Sequence, residues 1–186
     1  MSLRTARRRA RLAWSALAGD RRGIAAAEFA LILPALLMLC FGSTEVTQAI
    51  ALDRTVSLAA GTVSNLVAQY STISASQQMP DILAASTQVL APNPASKAKV
   101  VVTCITINGS GTATVAWSQT LNGTAKTVGA SITVPAALKV ANTNVIFSEV
   151  TYTYTPILDF LKIGNIDLYS SVYMYPRAST TINLVA

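Results

Sequence analysis

The sequence predicts an α+β protein: one long N-terminal helix that begins as a transmembrane segment and then a mainly antiparallel β-sheet domain. Three observations carry that expectation. An apolar run near the N-terminus is long enough to span a bilayer, helical periodicity continues past it, and the C-terminal half alternates in the two-residue period of strands, with turn residues between them.

Composition points the same way. In 186 residues, 52% are hydrophobic and only 12% charged, so part of the chain is expected in lipid. The net charge of +6 is concentrated in one place. The first 22 residues hold seven arginines and one aspartate, and the remainder is neutral. The high pI therefore describes a short tail and not a basic surface on the folded part.

From Ile24 to Gly42 there is a single charge, and these 19 residues reach about 28 Å as a helix, close to the ~30 Å hydrocarbon core. Arg7, Arg8, Arg9, Arg21 and Arg22 precede the span while Glu45 and Asp53 follow it, so these arginines act as topogenic residues that hold the N-terminus in the cytoplasm. Everything after about residue 45 is then exported. A cleaved secretory signal fits poorly, because its apolar stretch is shorter and "CFGSTEV" lacks an Ala-x-Ala site. The lipoprotein and twin-arginine export readings are set aside too: "LMLC" has no small residue just before Cys40, and Asp20, Arg21 and Arg22 interrupt the path from "ARRRARLAW" to the apolar core. The arginine tail has no aromatic interleaving beyond Trp14, which favours a helix on anionic lipid over a nucleic-acid site.

Glu28 lies inside the span. A carboxylate there costs roughly 2.5–3.5 kcal/mol on insertion scales, so a snorkelling acid at the membrane edge is the plain reading. The surrounding pattern, Arg21-Arg22-Gly23 followed by Ile24, three alanines, Glu28 and Phe29, suggests another. It resembles the prepilin-peptidase site of type IV pilin-like proteins, cut after a glycine and with glutamate at the fifth mature position. With "AAAEFALILP" following, it is most similar to the TadE-like minor pseudopilins of the Tad (tight adherence, Flp-type) pilus machinery.

That resemblance implies cleavage between Gly23 and Ile24 by a prepilin peptidase. The freed α-amino group would be a positive charge at the membrane, and Glu28 of the same or a neighbouring subunit would neutralise it, offsetting the desolvation of both charges. Alanines 25–27 would let a protease or an adjacent helix approach the backbone. Two features depart from the pattern: the 23-residue leader is long for a type IV pilin, and Phe29 stands where Flp major pilins usually have tyrosine. The resemblance further implies a bacterial inner-membrane, single-pass protein with a periplasmic C-terminal domain, whose partners are other pilus or pseudopilin subunits and the Tad assembly machinery.

The expected organisation is a basic cytoplasmic leader over 1–23, a transmembrane helix over 24–43, its periplasmic extension over 44–70, and a periplasmic α+β domain over 71–186. Pro34 removes one backbone donor inside the span and is expected to kink the helix. Ala49, Leu52, Val56, Ala59, Val63, Leu66 and Tyr70 follow steps of three and four, a seam expected to pack on the chain's own globular part, with packing between subunits as the alternative. "STISASQQ" (71–78) reads as a polar break. A short helix follows, with Pro80 at its first position, Asp81 in its first turn and Ile82, Leu83, Val89 and Leu90 on its apolar face.

"KAKVVVTCITI" (97–107) is apolar on both alternating faces and reads as a central strand. Ala113, Val115 and Trp117 alternate with Thr112, Thr114 and Ala116 in the next. Asn108-Gly109 and Asn122-Gly123 mark hairpin turns. "NVIFSEVTYTYTP" (144–156) and "IDLYSSVYMYPR" (166–177) form a later pair around a helical loop, "ILDFLKIGN". Ile166, Leu168, Val172 and Met174 share one face of the last strand and Tyr169, Tyr173 and Tyr175 the other, which is expected to pack under another element.

Enzymatic chemistry has little material. Histidine is absent, and beyond residue 75 the acids are Asp81, Glu149, Asp159 and Asp167, none paired at a metal-like spacing. No cofactor or metal is expected, Cys40 and Cys104 read as small buried hydrophobes, and Glu149 reads as a core-facing or sheet-edge acid. The function expected is a structural and interaction role in pilus assembly or initiation, with an uncleaved membrane-tethered periplasmic binding or sensing module as the alternative.

Overall fold

The computed structural model describes residues 22–156 and 164–186, and the chain divides between Thr44 and Glu45 into two units. One helix, α1 (Arg22–Ala68), runs through both ranges. After it come β1 (Thr72–Ser74), α2 (Gln78–Gln88), β2 (Ala98–Ile107), β3 (Ala113–Leu121), β4 (Thr143–Tyr154), β5 (Ile166–Met174) and β6 (Asn183–Val185). The fold is α+β, a long N-terminal apolar helix followed by a mainly antiparallel sheet domain. The segment expected to form a helical loop, 157–165, falls mostly outside the described residues.

Beyond residue 45, α1 is amphipathic. Leu52, Val56, Ala59, Ala60, Val63, Val67 and Ala68 are buried on one stripe, while Val46, Ile50 and Leu58 on other faces are exposed. The expected packing onto the chain's own domain is therefore observed, with a shifted end: Val67 and Ala60 are fully buried, whereas Leu66 and Tyr70 pack only partly. The reason is geometric, since a straight helix repeats every 3.6 residues and a strict seven-residue seam drifts off its face.

The main sheet has the order β3-β2-β4-β5, every pair antiparallel. β2 is central, as its two apolar faces predict. Val100, Val102 and Cys104 of β2 join Ile146, Val150 and Tyr152 of β4 against the α1 stripe and against Ile82, Leu83 and Leu90 of the α2 region. On the opposite face a smaller cluster gathers Ile105, Ile107, Ala113, Val134, Val145 and Phe147.

Several sequence expectations shift in detail. Ala113 and Trp117 do not share a face: the register of β3 against β2 slips between Cys104 and Ile105, so Trp117 packs on the helix side and Ala113 in the outer cluster. One inserted residue in a strand reverses every side chain beyond it. Asn108-Gly109 does not form a two-residue hairpin. Asn108 and Thr112 close a wider loop, in which the Asn108 side chain accepts from the Ser110 and Thr112 amides and Gly111 supplies the left-handed backbone at φ 80°. Pro80 is the third residue of α2 and not its first. The polar break contains β1, where Ile73 is fully buried and pairs in parallel with Leu184 of β6.

The C-terminal segment ties these parts together. The Arg177 amide donates to the Ala68 carbonyl at the end of α1, and the Trp117 indole donates to the Ile182 carbonyl at 2.9 Å. The first link satisfies a backbone oxygen at a helix end, and the second strengthens the pairing of a buried carbonyl that the Cys104 thiol also reaches.

Candidate functional site

The stretch that sequence reasoning selected is the first part of α1. Gly23, Ile24, Glu28, Phe29 and Pro34 all lie in it, and every residue from 23 to 44 is exposed. Among the described residues α1 is the one helix long and apolar enough to cross a membrane, with a mean hydropathy of 2.3 in its most apolar window. Leu31, Leu39 and Met38 are more than 60% exposed. Bare apolar surface on this scale in water is unfavourable by about 25 cal/mol for each Å², so the segment needs lipid or other helices around it.

Local chemistry suits that environment. The Ser43 and Thr44 hydroxyls donate back to the Cys40 and Phe41 carbonyls at 2.8 and 2.7 Å, leaving no hydroxyl proton for an apolar medium to accommodate. Among the described residues, a Cβ on Gly23 would meet nothing within 4 Å. Ile24 and Glu28 stand four residues apart on the helix, on one face and about 6 Å apart along the axis. An amine at the Ile24 nitrogen would thus lie within ion-pairing reach of a long carboxylate side chain. Pro34 sits inside α1, which continues through it. Arg22 is the first residue of α1, while Arg7, Arg8, Arg9 and Arg21 lie outside the described residues.

Cys40 is exposed in the chain alone, so the expectation of a small buried hydrophobe holds only for Cys104. Burial pushes the Cys104 thiol up to about 12, against the lowering effect of Asn144 and the Ile182 backbone. A thiol so disfavoured as thiolate is inert.

At the start of the second unit, the Tyr154 hydroxyl donates to Glu45 Oε2 at 2.6 Å, joining the foot of the α1 stripe to the end of β4. Burial first, then the hydrogen bond and negative charge of Glu45, push the Tyr154 phenol up to about 12. Sequence reasoning used Glu45 only as a topology marker. The available signal was its position, an acid where the apolar span ends and the buried stripe begins.

The outer face of the sheet carries a polar and aromatic cluster. Glu149 is neither core-facing nor at a sheet edge: it stands on the outer face of the interior strand β4, where Lys126 Nζ reaches it at 2.6 Å and the Tyr169 hydroxyl donates to it at 3.0 Å. Phe147 and Tyr173 stack with centroids 4.3 Å apart, and Lys126 lies 5.4 Å over the Phe147 ring. The Tyr175 hydroxyl donates to the Leu138 carbonyl, so the tyrosine face is covered at that end and open around Tyr169. No group of three potential metal ligands occurs among the described residues. These groups offer polar and aromatic contacts on the outer face of the sheet.

Residues 23–64 match the family model described as TadE-like protein. No curated protein and no solved structure gives a significant match. The matched range begins at Gly23 and contains Ile24, Glu28, Phe29 and Pro34, together with the buried stripe as far as Val63. TadE-like proteins are associated with the Tad pilus as structural and assembly components. Over residues 23–64, which lie within the candidate membrane-spanning helix, this chain is similar to the TadE-like family.

Proposed function

We propose that the protein is a pseudopilin-like, membrane-anchored subunit that acts in the assembly or initiation of a Tad/Flp pilus. The observation that carries this reading is the pairing, inside the TadE-like range, of an apolar helix that nothing among the described residues covers with Glu28 one turn from Ile24. In this reading residues 1–23 are a cytoplasmic leader and a prepilin peptidase cuts between Gly23 and Ile24. Residues 24–43 cross the inner membrane, and the domain from 71 onward, with the helical extension that supports it, is periplasmic. Arg7, Arg8, Arg9, Arg21 and Arg22 hold the leader inside.

Assembly then proceeds by lateral packing of these helices. Glu28 sets their register by pairing with an Ile24 α-amine, in its own subunit or the next, where low dielectric strengthens the attraction. Phe29 and Pro34 shape the packing surface, and the sheet domain supplies contacts to other pilus or pseudopilin subunits and the Tad machinery.

Mass spectrometry of the membrane-extracted protein tests the processing step. A mature chain that starts at Ile24 supports the reading, whereas one that retains Met1 to Gly23 points to an uncleaved tethered module. Glu28→Gln removes the charge and keeps the shape, and piliation is expected to fall sharply. Normal piliation with Glu28→Gln would remove the assembly role assigned to this residue.

A further inference from the structure

The two edges of the main sheet are treated differently. Along β3 the chain folds back on itself: Val115 donates to the Ala130 carbonyl, Gly129 and Ile132 donate to the Val115 and Ala113 carbonyls, and the Lys126 amide reaches the Ser118 hydroxyl. Thr114 and Ser131 form an isolated bridge in the same place. Along β5, among the described residues, the backbone pairs with β4 alone. Its nine residues, Ile-Asp-Leu-Tyr-Ser-Ser-Val-Tyr-Met, contain no lysine, proline or glycine and no break in register. Within the strand itself the common devices that blunt an exposed edge are missing, apart from one acid, Asp167, which Thr153 already engages at 2.7 Å.

We infer that the outer edge of β5, unpaired among the described residues, pairs antiparallel with β5 of a second copy of this chain, with Ser170 on the two-fold axis. The pattern of β5 is its own complement when reversed. Ser170 then opposes Ser170 of the second copy, Leu168 opposes Val172, Ile166 opposes Met174, Tyr169 opposes Ser171, and Asp167 opposes Tyr173.

Each of these pairs joins residues of one face. Leu168, Val172 and Met174 already pack at the margin of the helix-side core, so the joined strands extend that core across the axis. On the outer face each Asp167 carboxylate meets a tyrosine of the other copy, twice by symmetry, and no like charges face one another. A register shifted by one residue would set apolar side chains against polar ones on both faces. A shift of two would shorten the ladder and lose the symmetric Asp167 to Tyr173 pairs. This reversal symmetry is the reason to choose a second copy over an unrelated strand.

The inference rests on the sheet and not on leader processing, so it stands or falls separately from the proposed function. The test is oxidative crosslinking of the full chain in native membranes, in a Cys40→Ala background with Cys104 left buried. Ser170→Cys is expected to form a disulfide dimer about tenfold more efficiently than Ser171→Cys, whose sulfurs sit diagonally across the axis, or Ser110→Cys in the loop beyond β2. Two differently tagged chains carrying Tyr169→Cys and Ser171→Cys should also join to each other when co-expressed. Three results would overturn the inference: equal crosslinking at all these positions, no dimer from either design in chains that keep a protease-resistant domain, or a Ser170→Cys adduct to a different protein.

Discussion

The two halves of α1 share one backbone ladder and differ in what covers them. From 23 to 44 every residue is exposed, whereas from 52 to 68 a stripe of seven apolar residues is buried to 5% exposure or less. Hydrophobicity alone does not separate them, since the exposed half is the more apolar. The difference lies in arrangement. The first half is apolar on all sides, as a helix must be when lipid or other helices surround it, and the second confines its apolar residues to one face because a sheet covers only one face.

Substitutions that are equivalent on paper should separate the two halves most strongly. Val63→Asp places an unpaired carboxylate in a site of no exposure and is expected to cost about 4 kcal/mol, enough to abolish the protease-resistant domain. Leu36→Asp should leave that domain intact and instead weaken membrane retention, by about 3 kcal/mol on insertion scales, as read by carbonate extraction. If both variants lose the domain, the halves are not independent in the way their burial suggests.

A smaller effect is expected where the C-terminal segment closes the covered half. Trp117→Phe leaves the Ile182 carbonyl without its indole donor, so denaturant unfolding should show about 2 kcal/mol less stability. Wild-type stability in the same measurement would show that the closure depends on the β1–β6 pairing instead.

Alkaline titration sharpens the contrast further. The Tyr154 phenol is raised in the folded protein, so its contribution is fully present below the unfolded value near 10. It is lost as pH rises toward about 12, because the unfolded chain releases its proton first. Cys104 acts in the same direction from about pH 9. The domain should therefore weaken between pH 9 and 12. Tyr154→Phe should remove the Tyr154 share while costing about 1 kcal/mol at neutral pH through loss of the Glu45 hydrogen bond. An unchanged alkaline slope in Tyr154→Phe would show that this pair contributes nothing.

Much of this architecture was readable in one dimension because period reports environment. The 3.6-residue rhythm of α1, the two apolar faces of β2 and the split faces of β5 each reflect burial that repeats along a single element. What escaped was non-local. Trp117 changes face because of one slipped register, Ile73 is buried in a polar run because β6 returns from more than a hundred residues away, and Glu149 is held by Lys126 from a loop. No property of those residues or their neighbours encodes such partners. The candidate processing segment stands out in the sequence for the opposite reason: Gly23, Ile24 and Glu28 are related by spacing along one helix, and spacing is what a sequence records.

By itself the sequence determined that an arginine-rich stretch precedes an apolar helix, that this helix turns one-sided beyond Glu45, and that an antiparallel sheet follows. Each of these is a local balance of side-chain hydration against backbone hydrogen bonding. Only the tertiary structure decided which strand edge stays unpaired among the described residues, which face Trp117 takes, and that Tyr154 clasps Glu45. Those outcomes depend on contacts between distant segments, where the energy of a residue is set by neighbours that the chain order does not reveal.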